Sequence, residues 1–77
     1  MNQETFNLDL RKFLKRFGVT AQREIEQAVA DAVERGTITG TETLIVRATL
    51  TIPGVLDELR LDGEIGLEKS ASASAPE

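Results

Sequence analysis

Two alternating apolar runs, TLIVRATLTI (Thr43–Ile52) and LRLDGEIGL (Leu59–Leu67), lie on either side of a Pro53-Gly54 pair. Their phases leave few ways for the chain to fold. In the first run Leu44, Val46, Ala48, Leu50 and Ile52 share one face of an extended strand, and Thr43, Ile45, Arg47, Thr49 and Thr51 share the other. In the second run Leu59, Leu61, Ile65 and Leu67 share one phase if Gly63 is counted in. Asp62-Gly63 is a strong hairpin signal when read locally. A two-residue turn there would pair Leu61 with Glu64 and send Ile65 and Leu67 to the opposite face, because directly paired residues project to the same side. Passage straight through keeps the four apolar residues together. The turn therefore belongs at Pro53-Gly54, whose order suits a type II turn with φ > 0 at the glycine. A loop of four to six residues from Pro53 brings even positions of the first strand opposite odd positions of the second. The six-residue option sets Leu50 against Leu61, Ala48 against Gly63 and Val46 against Ile65.

Upstream the period changes to that of a helix. Phe6, Leu10, Phe13, Leu14 and Phe17 form one apolar face and include all three aromatic residues of the chain. Arg11, Lys12, Lys15 and Arg16 fall between them and project to water. Gly18 is placed to end this helix in a left-handed cap, with the four cations near its C-terminus complementing the dipole. Thr20 is then the N-cap of a second helix, with Ile25, Ala28, Val29, Ala32 and Val33 as its stripe and Gly36 as its stop. The expected fold class is α+β: two helices packed on one face of an antiparallel two-stranded β-hairpin, in the order α-α-β-β. Thr37–Thr43 reads as a linker, with a short third strand around Ile38 as an option. Residues 1–68 make a single domain and residues 69–77, KSASASAPE, a disordered tail.

The composition removes several classes of chemistry. Among 77 residues there is no cysteine, histidine, tyrosine or tryptophan, and the three serines all lie in the tail. Disulfides and Cys/His metal sites are excluded, and no cofactor is expected. Asp62 and Glu64 sit two apart on a strand, yet a chain this short builds little of the pocket needed to shift carboxylate pKa values. They read as a solvated face with cross-strand partners such as Arg47. No apolar run approaches the roughly 20 residues of a membrane span, and the N-terminus lacks the pattern of a secretory signal, so a cytoplasmic, non-membrane protein is expected. The phenylalanines opposite the basic face read as core rather than as a lipid-facing surface.

Charge is distributed unevenly. Up to Gly18 there are four basic and two acidic residues, and from Val19 onward five basic and eleven acidic. FLKRFGVTAQREIEQAV has the outline of a helix-turn-helix, which makes a divergent nucleic-acid binder the alternative function. Glu24, Glu26, Asp31 and Glu34 on its would-be recognition helix would be repelled by phosphate and weigh against nucleic acid as a partner. The favoured reading is a non-enzymatic protein–protein interaction module. It would bind an unknown protein or pair with itself through a strand edge as a homodimer. Its candidate surface comprises Arg11, Lys12, Lys15, Arg16, Ile45, Arg47 and Arg60.

RKFLKRFGVTAQREIEQAV, followed by ATLTIPG and DGEIGLE, resembles a small family of bacterial proteins known only as a domain of unknown function. The resemblance runs from about Phe6 to Glu68, and GVT-x-QREIE is its most specific part. It implies a compact bacterial α+β protein and carries no activity or ligand with it.

Overall fold

The computed structural model describes residues 1–68, and the expected disordered tail lies outside the described residues. The chain is α+β. A helix α1 (Gln3–Glu34) is followed by strands β1 (Thr43–Ile52) and β2 (Leu56–Gly66), which form an antiparallel two-stranded sheet. Two compact units result, Met1–Thr37 and a second beginning at Ile38.

The helical unit corrects the expected architecture. Among the described residues there is one helix of 32 residues, not two, and the order is α-β-β. Gly18 is an interior helical residue with no positive φ, and Thr20 lies inside the helix rather than capping one. The physical reason is a contest of small numbers. An interior glycine costs about 1 kcal/mol relative to alanine. A stop there would forfeit the backbone bonds of the turns that bridge it and require a second costly nucleation. The apolar spacing also runs on through Phe17, Ala21 and Ile25 without a break in face. The four cations therefore sit mid-helix, and the last turn holds no basic residue.

The true ends are capped. Asn2 holds extended geometry and its side chain accepts the Thr5 N–H at 2.9 Å, with Glu4 in the positive first turn. At the other end Gly36 adopts φ +80°. Its N–H donates to the Val33 carbonyl at 3.0 Å, and the Thr37 N–H reaches the Ala32 carbonyl at 2.9 Å. This pair of bonds is a Schellman motif, and Gly36 is the stop that the sequence predicts.

The ribbon follows the expected course. The chain turns at Pro53-Gly54, and Gly54 has φ +79° with the Val55 N–H donating to the Ile52 carbonyl at 2.9 Å. That is a type II turn. β2 runs without interruption through Asp62 and Gly63, which pair with Arg47 and Val46. Leu44, Val46, Ala48 and Leu50 oppose Ile65, Gly63, Leu61 and Leu59 on one face.

The register is tighter than the six-residue option. The loop is only Pro53–Val55, closed by Ile52 opposite Leu56, and a bulge sets Asp57 and Glu58 against the single Thr51. The bulge has a clear purpose. Without the extra residue Leu50 would face Glu58; with it, Leu50 faces Leu59 and both apolar alternations fall on one side. Leu56 joins that side ahead of the bulge, a member not foreseen. No strand forms at Ile38. Among the described residues no side chain is fully buried; apolar groups gather instead on one stripe of α1 and one face of the ribbon.

Candidate functional site

Three surfaces can be built from these elements. The first is the stripe of α1. Phe6, Phe13 and Phe17 each keep close to half their surface exposed, as does Leu14. The rings of Phe13 and Phe17, one turn apart, stack with centroids 6.3 Å apart and planes at 13°. Arg16 lays its guanidinium over Phe13 at 5.9 Å from the ring centre, so this cation borders the stripe. Asp9, Lys12, Phe13 and Arg16 line one open groove along the helix, and Leu8, Arg11, Lys12 and Lys15 line another. All four predicted basic residues thus share the N-terminal half of α1, on either side of the aromatic ladder.

The second surface is the apolar face of the ribbon. Where Gly63 opposes Val46 there is no side chain on β2, which leaves a shallow groove of about 250 Å³ bounded by Val46, Ala48, Leu61 and Ile65. A Cβ built at Gly63 meets nothing within 4 Å. The glycine is therefore not demanded by a close approach within the chain.

The third surface is the polar face and its edges. Ile45 is 75% exposed and lies opposite Glu64. Arg47 faces Asp62 across the strands and meets its carboxylate at 3.3 Å, while Arg60 approaches the same oxygen at 3.8 Å from two residues along β2. The structure thus brings the predicted Arg47 and Arg60 together around Asp62, and keeps Ile45 on the same face one pleat away. All three charged groups are about half exposed, so each pair contributes at most about 1 kcal/mol. Among the described residues each strand of the sheet has a single partner, which leaves its outer edge available for pairing.

One polar cluster escaped the sequence analysis. The Glu42 carboxylate accepts the Thr39 N–H at 2.9 Å, the Gly40 N–H at 3.0 Å and the Thr39 hydroxyl at 3.1 Å. These donors, the Thr39 N–H foremost, hold the Glu42 carboxyl down from its usual 4.5 to about 2. The Glu42 carbonyl in turn accepts the Leu67 N–H at 3.0 Å, which ties the loop to the open end of the ribbon. The signal was present as Thr39-Gly40 followed closely by a carboxylate, a local side-chain-to-backbone pattern. With its charge fully committed to these local donors, it acts as a clamp. Among the described residues no cluster of three or more carboxylates has the geometry to hold a metal ion, and no helix is long and apolar enough to cross a membrane. The helix-turn-helix alternative loses the turn on which it was built, because residues 18–20 are helical.

Comparison with protein families matches residues 1–68 to a family of unknown function. No curated protein and no solved structure matches the chain.

Proposed function

This chain belongs to a family of unknown function, DUF6494, and we propose that it serves as a non-enzymatic protein–protein interaction module. The observation that carries this reading is the helical unit. An amphipathic helix of 32 residues forms a compact unit with no second helix inside it, and its three phenylalanines are close to half exposed. A helix draws most of its stability from burying its apolar face, so the stripe of α1 is a surface made to be covered. The open edges of the ribbon and the exposed Ile45 add a second route of contact by strand addition. The absence of histidine, cysteine and tyrosine, with every serine beyond residue 69, supports a role without catalysis. The complete lack of cysteine suits a reducing compartment, and the cytoplasm is its proposed place of work.

The test is site-specific photo-crosslinking in cells, with a photoreactive residue placed at Phe13, at Ile45, or at Arg23 on the opposite side of the helix. The expected result is discrete protein adducts from Phe13 or Ile45 and none from Arg23. Adducts absent from both of the first two positions would overturn the proposal.

A further inference from the structure

We infer that the occupant of the α1 stripe is a second copy of this chain, its helix lying antiparallel across a two-fold axis near Thr20. This rests on the reading of the chain as an interaction module and names the partner.

The first argument is the period of the stripe. Phe6, Leu10, Leu14 and Phe17 climb the helix at intervals of four, four and three residues. Ala21, Ile25, Ala28 and Ala32 continue the ladder at four, four, three and four, with no polar residue in the series. The repeat is eleven residues, or about 3.67 per turn, which keeps the stripe nearly straight on a relaxed helix and favours a slight right-handed supercoil. At about 1.5 Å per residue the ladder is roughly 40 Å long. A partner that covers it from end to end needs an apolar band of equal length and period. A second α1 has both.

The second argument is size. The N-terminal half of the ladder is large, with Phe6 and Phe17 flanking two leucines, whereas the C-terminal half is small apart from Ile25. Antiparallel pairing sets Leu10 against Ala32 and Leu14 against Ala28, large against small on either side of a central Ala21. Parallel pairing would stack phenylalanine on phenylalanine at one end and leave alanine facing alanine at the other.

The third argument is charge complementarity. From Gln3 to Gly18 the helix carries four cations and two carboxylates; from Val19 to Arg35 it carries four carboxylates and two cations. Antiparallel copies lay the positive half of each on the negative half of the other, and a parallel pair opposes like with like. About an axis at Thr20, Arg16 of one copy falls opposite Glu24 of the other. Glu24 is the charged residue nearest the ladder, in the angular position that Phe13 fills one repeat earlier, and Arg16 already borders the stripe over Phe13. The approach of Asp9 to Asp31 at each end is offset by Arg35, one turn beyond. The surface is self-complementary, as an isologous dimer requires.

The experiment uses the full chain, whose lack of cysteine makes introduced thiols unique. Sedimentation equilibrium should give twice the 8.4 kDa chain mass at micromolar concentration. Under mild oxidation Ala21→Cys, on the ladder beside the axis, should crosslink to itself in high yield. Leu10→Cys and Ala32→Cys, eleven residues to either side on the same ladder, should each fail to self-crosslink but form a mixed disulfide when combined. Arg16→Glu should weaken association about tenfold, and adding Glu24→Arg should restore it. Efficient self-crosslinking of Leu10→Cys would mean parallel helices and would overturn the inference. So would a monomer at all concentrations, whether the stripe is then covered by the chain's own ribbon or by a different protein. In that last case photo-crosslinked adducts of other mass would keep the module reading alive while this one falls.

Discussion

The Glu42 carboxylate shows how much a single side chain settles in a small protein. Three donors from Thr39 and Gly40 converge on it and stabilise its charged form, so its folded pKa lies below its unfolded one. The sign follows: the clamp contributes in full above about pH 4.5 and is lost as pH falls through about 2. The Glu42 side-chain carbon signal, followed by NMR, should titrate near pH 2, and Glu42→Gln should abolish that acid-limb dependence of thermal stability. A Glu42 that titrates near 4.5 would refute the clamp. Gly54 is the other decisive residue. At φ +79° an L side chain is strained, so Gly54→Ala should destabilise the ribbon by about 1–2 kcal/mol. Its urea midpoint should fall with the slope unchanged.

For the helix and the ribbon, local signals and the final structure part company at two glycines. Gly18 looks like a cap and is an interior helical residue. Gly18→Ala should therefore raise helicity by circular dichroism and stabilise α1 by about 1 kcal/mol; a left-handed cap would make the same change destabilising. Gly63 looks like the second residue of a tight turn and is a mid-strand residue opposite Val46, with open space where a Cβ would go. Gly63→Val should raise the stability of the ribbon by up to about 1 kcal/mol. A loss of stability on that substitution would place the reversal at Asp62-Gly63 after all. The face argument resolved Gly63 because it compared four apolar residues at once. At Gly18 the immediate neighbours favour a cap, whereas the eleven-residue ladder that spans it favours an unbroken helix.

For the whole molecule, association should govern stability. If each helix is completed by another copy, the folded state gains stability by mass action, and the melting temperature should rise with protein concentration over the micromolar range. Opposed charge halves lie near the surface and are screened by salt, so the dimer should loosen between about 0.05 and 0.5 M sodium chloride. A melting temperature independent of concentration would contradict this. The predicted basic quartet lies in the N-terminal half of one long helix, well before its last turn, so the cations complement no helix C-terminus.

Spacing and backbone demand were enough to decide several features in advance: which residues share the apolar side of the ribbon, that the chain reverses at Pro53-Gly54, and that α1 stops at Gly36. Each depends on a parity or on a φ angle that few residues accept, so nearby residues carry the whole answer. The unbroken passage of α1 through Gly18, the bulge at Asp57-Glu58 and the Glu42 clamp were decided only in three dimensions. In each of them a local preference of about 1 kcal/mol competes with backbone bonds or strand pairings made several residues away, and the cooperative side of that contest is not written at any one position.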